Sequence, residues 1–173
     1  AKARGVAKVD LRGDWKMQRN LFLQPGSCKA CAVVVLLEIN QLPPSMAVPL
    51  ENFTKALTAE AKNKGLLLTK HKLVGPKNYG LNKNIFDEAG ANDYEFLVFI
   101  VHDNKETFVK DMIKFHEAQT GIITQCVTVS KAMDIGNDKP GSRQITENIL
   151  NKMNLKLGGL NHSLTFGPST GPQ

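Results

Sequence analysis

The residues best suited to chemistry are four lysines and one amide. Lys152 and Lys156 stand one helical turn apart near the end of the amphipathic stretch 141–156, and Lys110 and Lys114 repeat that spacing upstream. Between the pairs, Thr124-Gln125-Cys126 opens an apolar segment. Ammonium groups crowded together repel one another, and a small, strongly negative group relieves that repulsion. A nucleic-acid terminal phosphate fits. It carries nearly two charges and several outward acceptor oxygens, which lysines surround as point charges while an amide adds direction. A divalent ion with a carboxylate is another way to share the load. Each part also has a plainer reading. Two lysines at i and i+4 are the usual pattern of a solvated helix face. Gln125 is a common kind of strand-start residue, Cys126 a common kind of core residue, and Asn104 and Lys105 suit a turn.

Other chemistries find less support. The sequence has no G-x-x-x-x-G-K-[ST] loop, no G-x-G-x-x-G fingerprint and no G-x-S-x-G elbow. His71, His102, His116 and His162 are scattered without metal-ligand spacing, and nothing groups Asp103, Asp111 and Asp134 around a Mg²⁺ ion. Cys28 and Cys31 have C-x-x-C spacing. A redox pair belongs at a helix start and a zinc site needs two further ligands. This pair leads instead into the strand-like run 32–37, so a structural role is expected, in a reducing compartment.

The 173 residues suffice for one substantial core and are short for two. A hydrophobic content of 42% is ordinary for a globular domain, and no apolar run reaches membrane-spanning length. No signal-peptide pattern opens the chain, and its first residue is not Met, as expected of an excised fragment. The net charge is +6, but residues 1–35 hold seven Lys or Arg against two Asp, while the remainder is nearly balanced. The excess therefore marks the N-terminal segment and does not by itself identify a pocket.

Residues 1–20 read as a linker pinned by Trp15 and Met17. Residues 21–23 suit a short strand closed by the turn Pro25-Gly26-Ser27. Residues 31–39 suit a central parallel strand buried on both faces. Pro43-Pro44-Ser45 predicts a break, followed by a helix over 51–64 with Phe53, Leu57 and Ala61 inward and Gly65 as its stop. Residues 66–69 suit a strand, 76–80 a loop, and 85–89 a short helix ended by Gly90. The strongest strand signal is 94–101. The loop 102–107 follows, then a helix over 108–119 with Phe108, Met112 and Phe115 on its core face. Gly121 closes it. A strand over 122–129, a loop over 134–141 and a final helix capped by Ser142, with Ile145, Ile149 and Met153 inward, complete the domain. The alternation predicts an α/β fold, a Rossmann-like, mostly parallel twisted sheet flanked by helices, with ligands beyond the carboxyl ends of the strands and the helix after 102–107 offering its N-terminus to an anion. The domain spans 21–157, and 158–173 reads as a tail.

Gly13-Asp14-Trp15-Lys16-Met17 followed by Phe22, then Thr124-Gln125-Cys126-Val127, and above all Lys152-Met153-Asn154-Leu155-Lys156-Leu157-Gly158-Gly159 with Asn161, resemble the MID domain of eukaryotic Argonaute proteins and the start of the adjoining PIWI region. Loop lengths suggest a fungal or otherwise divergent member. The resemblance implies a module of RNA-mediated silencing that binds the 5′-phosphate and first nucleotide of a small single-stranded guide RNA. Gln125 and Lys152 match two of the family's phosphate ligands, Lys156 a further lysine near the 5′ end, and Lys114 a helical lysine. The tyrosine that stacks on the first base is missing. One alignment puts Lys110 there and another Phe108, so stacking falls to Phe108, to the alkyl stem of Lys110, or to a group elsewhere. Lys131 replaces an asparagine of the phosphate region and adds a cation. The loop His102-Asp103-Asn104-Lys105-Glu106-Thr107 resembles the family's nucleotide specificity loop, whose backbone favours U or A.

The same resemblance implies no catalytic residue here, since cleavage belongs to carboxylates of the PIWI region. It also implies no required cofactor, with Mg²⁺ a candidate in the full-length protein. The partners implied are the PIWI and PAZ domains of the same chain and target RNA through the full-length protein, in the cytoplasm or nucleus and away from membranes. Two rival readings stand beside it: a phosphate-handling α/β enzyme using Asp103 or Asp111, and a protein-interaction domain with a solvated lysine surface.

Overall fold

A computed structural model describes residues 21–37, 42–68, 70–74, 83–103 and 107–163. The segment with Trp15 and Met17, the loop 76–80 and the loop residues Asn104, Lys105 and Glu106 lie outside the described residues. The elements run β1 (Ser27–Cys28), β2 (Cys31–Val35), α1 (Pro44–Asn63), β3 (Leu67–Leu68), β4 (His71–Val74), α2 (Lys83–Ala91), β5 (Phe96–Val101), α3 (Thr107–Thr120), β6 (Ile123–Thr128), α4 (Val129–Gly136) and α5 (Ser142–Lys156). Four parallel strands form the main sheet in the order β4-β2-β5-β6, and β1 pairs with β3 in a small parallel ribbon. This is the expected α/β architecture.

The two central strands show why. Every residue of β2 and β5 is buried. Alternate side chains enter opposite cores, because successive residues of a strand face opposite ways. Cys31, Val33, Val35, Phe96, Val98 and Ile100 pack under α1 and α5, while Ala32, Val34, Leu97, Phe99 and Val101 pack under α2 and α3. An apolar run with no polar face must be covered on both sides, and flanking helices do this. The C-x-x-C pair belongs to this packing. Both thiols are buried and unbridged. Burial, reinforced by the Glu95 carboxylate, pushes Cys28 up to about 11, and burial then the Cys28 sulfur push Cys31 higher still. Such thiols are poor nucleophiles at neutral pH.

Several boundaries differ from the sequence reading. The Pro43-Pro44 pair does not separate a loop from a helix at 51. Pro43 is the N-cap and Pro44 begins α1, where the missing N–H costs nothing. Residues 21–23 form no strand; a single antiparallel bridge joins Gln24 to Leu160. β1 occupies part of the expected turn, and β4 arises where no strand was read. α2 runs through Gly90 and ends before Asp93, which adopts φ 58. The loop expected over 134–141 is in part a helix, since α4 follows β6 without a connection. Ser142 does not cap α5: Gly141, at φ 85, is the N-cap and Ser142 is the first helical residue. The stretch after Gly158 is fastened as far as Asn161, which is buried and donates from Nδ2 to Asn151 O at 3.0 Å.

α3 turns inward a different face from the one its aromatic spacing predicts. Phe108 and Phe115 do not face the core; they are 70% and 54% exposed. The inward residues are Val109, Ile113 and His116, with His116 stacked on Phe86 at 5.2 Å between centroids. Two apolar stripes lie one residue apart on this helix, and the sheet takes the aliphatic one.

α1 and α4 cross at Gly136, where an added Cβ would stand 1.9 Å from Pro49 O. The obstacle is backbone, so the helices must separate. Gly136→Ala is expected to destabilise the domain by about 1–3 kcal/mol, read as a lower urea midpoint at unchanged slope.

Candidate functional site

β6 is the edge strand beyond β5, and its burial is broken: Thr124 and Val127 are buried while Gln125, Cys126 and Thr128 are half-buried. An edge strand with no further neighbour leaves room between the helices on either side. Here a cleft of about 300 Å³ opens, lined among others by Lys110 of α3, Gln125 and Cys126 of β6, Lys131 of α4, and Asn148 and Lys152 of α5. It reaches Val101 and Thr128 at the carboxyl ends of β5 and β6, as the α/β rule anticipates, but also extends down the edge of β6 to Gln125.

The electrostatics are one-sided. Lys110, Lys131 and Lys152 are exposed and make no ion pair or hydrogen bond with any described residue. Gln125 Nε2 donates to Cys126 O at 2.9 Å, and Gln125 Oε1 is buried without a partner among the described residues. An amide oxygen only accepts, so Gln125 meets an anion through Nε2, which must then turn away from Cys126 O. Burial raises the Cys126 thiol above its ordinary value, against the opposing pull of Lys114, Lys156 and Lys110.

Lys114 and Lys156 stand at the lower end of this region and do not line the cleft itself. Lys114 is ion-paired to Glu117, one turn along α3. Glu117 also accepts from the buried Thr124 Oγ1 at 2.5 Å, and Lys156 Nζ donates to Thr124 O at 2.5 Å. Burial would raise Glu117, but the hydrogen bonds from Lys114 and Thr124 and the Lys114 charge hold it below the usual carboxylate range. Lys156 is lowered by burial first and by the nearby Lys114 second. Glu117 was not read from the sequence as part of any site. Its signal was its position one turn beyond Lys114, seven residues after Lys110, on the same face of α3.

Phe108 stands apart from the cleft. It lies two residues before Lys110, hence about 200° around the helix. His102 is exposed at the end of β5. The carboxylate of Asp103 accepts from Ser130 N at 3.1 Å and also from Ser130 Oγ, which caps the start of α4 and ties the described beginning of the 102–107 loop to the helix carrying Lys131. Burial would raise Asp103, but the bonds from Ser130 and Thr128 and the nearby His102 together hold it below the usual carboxylate range. Its contribution is therefore present above the unfolded carboxylate pKa and lost as pH falls through the folded one. Among the described residues no group of three or more His, Cys, Asp or Glu is placed to hold a metal ion, and no helix is long and apolar enough to cross a membrane.

The fold and the cleft define a class: a parallel α/β domain with a cationic groove at its edge strand. The chain closely resembles the MID/PIWI region of eukaryotic Argonaute proteins. The family model of the Piwi domain matches residues 96–170. Argonaute protein wago-4 of Caenorhabditis elegans is 31% identical over 119 residues, covering 65% of this chain and 11% of the relative. The chain thus spans about a tenth of that relative's length. Among solved structures, the Arabidopsis thaliana AGO5 MID domain superposes with a TM-score of 0.61 at 19% identity, over 83% of this chain and 99% of that one. Kluyveromyces polysporus Argonaute, solved with a guide RNA, superposes with a TM-score of 0.68 at 21% identity, over 87% of this chain and 18% of that one. At these identities the structures establish the fold.

Proposed function

We propose that this domain binds the 5′-phosphate and first nucleotide of a small single-stranded guide RNA, as part of a longer Argonaute chain with PIWI and PAZ domains and with access to target RNA. The observation that carries the reading is the convergence of Lys110, Lys131, Lys152 and Gln125, from four different elements, on one cleft. Three ammonium groups without counter-ions among the described residues stabilise an anion, and a terminal phosphate brings more charge than an internal phosphodiester. Lys114 and Lys156 flank the same strand and add to the local field. The phosphate fixes the position of the 5′ end, and the base contacts supply modest selectivity.

In this arrangement the alkyl stem of Lys110 lines the first-base site in place of an aromatic ring. Stacking on an aromatic is worth about 1–3 kcal/mol per base, so the first-base contribution is expected at or below the lower end of that range. The loop from His102 to Thr107 samples the base edge. Mg²⁺ sharing the phosphate charge belongs to the full-length protein, which we place in the cytoplasm or nucleus.

The test is a titration with UMP, AMP, CMP and GMP, repeated with the nucleosides. Removing the phosphate is expected to abolish most binding. Equal affinity for both sets would support the protein-interaction reading, and nucleotide turnover lost on substitution of Asp103 or Asp111 would support an enzyme. A phosphate monoester loses its second charge near pH ~6, so UMP affinity is expected to fall as pH drops through that value while the lysines stay charged.

A further inference from the structure

We propose that Glu117 is a resident counter-anion that competes with the guide's 5′-phosphate for Lys114 and so sets the affinity of the groove. The inference rests on the 5′-phosphate reading above and assigns a residue that reading does not use. Five lysines gather around β6, yet the cleft itself is lined by Lys110, Lys131 and Lys152 alone among them. The other two are already engaged. Lys114 is paired to Glu117, and Lys156 donates to the carbonyl of Thr124, whose hydroxyl in turn donates to Glu117. The carboxylate thus stands at the centre of a short chain, Lys114–Glu117–Thr124–Lys156, that holds two cations outside the ligand space.

Glu117 is fixed more firmly than the lysine it holds. Its side chain is 22% exposed against 56% for Lys114. The Thr124 hydroxyl that anchors it belongs to a fully buried strand residue. A mobile lysine on an anchored carboxylate is the partner that moves. When a phosphate enters, Lys114 turns from Glu117 to the ligand, and the remaining carboxylate repels the same phosphate. Both effects oppose binding: the repulsion scales with the phosphate charge, and the cost of parting the ion pair arises only when a phosphate draws Lys114 away. The opposing possibility is that Glu117 orients Lys114 productively, so that its loss would weaken binding. Exposed ion pairs hold lysine side chains only loosely, and this decides the sign in favour of competition.

The experiment measures UMP and uridine affinity of the 173-residue chain at fixed salt for four forms: wild type, Glu117→Gln, Lys114→Met and the double variant. Glutamine keeps an acceptor for Thr124 while removing the charge. Glu117→Gln is expected to raise UMP affinity about two- to tenfold and leave uridine affinity unchanged. In the Lys114→Met background the gain is expected to shrink to the residual repulsion term, below twofold. A Glu117→Gln variant that binds UMP equally or more weakly overturns the proposal, as does a gain undiminished without Lys114. If Glu117→Gln does not fold, Glu117→Ser is read by the same criteria. Wild type binding UMP no better than uridine would overturn the phosphate reading itself, a result separate from failure of the Glu117 assignment.

Discussion

Lys152→Ala is expected to lower the affinity for 5′-phosphorylated mononucleotides by one to two orders of magnitude and to leave nucleoside binding nearly unchanged. Lys152 lines the cleft with Lys110, Lys131 and Gln125 and is exposed, so the substitution removes a charge without opening the core. A hydrogen bond to a charged group contributes about 1.5–3 kcal/mol, which is the source of the expected range. The same variant is expected to reduce the salt dependence of binding, because one fewer cation replaces counter-ions on the ligand. Calorimetric titration of UMP at two salt concentrations checks both effects, and an unchanged thermal midpoint separates lost binding from lost folding. Wild-type affinity in this variant would remove Lys152 from the site.

Lys64→Met is expected to destabilise the domain by about 3–5 kcal/mol, the usual result of leaving one member of a buried ion pair alone. Lys64 lies at the end of α1 and is 2% exposed, and its Nζ stands 3.8 Å from Glu147 Oε1 of α5. It also sits over the Phe22 ring at 5.7 Å. Glu147 Oε1 has no hydrogen bond among the described residues; Arg143 Nε approaches it to 3.7 Å, a contact of charge alone. Among the described residues, removing the Lys64 charge leaves Glu147 buried with the half-exposed Arg143 as its cation. The double variant Lys64→Met, Glu147→Met is expected to recover most of the loss, since apolar replacements for both partners fill the space without a desolvated charge. Urea unfolding of the three forms checks this. The pair fastens α1 to the helix carrying Lys152 and Lys156, so a loosened α5 would also weaken nucleotide binding indirectly.

How much of this was legible in the sequence depended on whether a local pattern had one physical solution. The apolar parts of two strand-like runs, 33–37 and 96–101, did. An uninterrupted stretch of Val, Ile, Leu and Phe that short forms a strand covered on both faces, and the alternating helices can provide that cover only around a parallel sheet. The region of α3 had two solutions. Phe108-Met112-Phe115 and Val109-Ile113-His116 are both reasonable inward stripes, and side-chain type favoured the wrong one. Packing against Phe86 and Phe99 chose the stripe with Ile113, and this turned Lys110, rather than Phe108, toward the cleft. α4 was hidden because its opening Val129 continues the β-branched pattern of β6, and eight residues give little periodicity to read.

By itself, then, the order of amino acids determined the layers, the central strands and which polar residues were candidates to share a site. Their types and spacings carry that information along the chain. Which of them share a cleft, and which is held in reserve by a neighbour, only the tertiary structure decided. Lys110, Gln125, Lys131 and Lys152 are brought together by the placement of β6 at the sheet edge between α3 and α5. Glu117 draws Lys114 aside because Thr124 happens to face it across that edge. Coulomb and hydrogen-bond energies depend on distances through space, and sequence separation does not encode them.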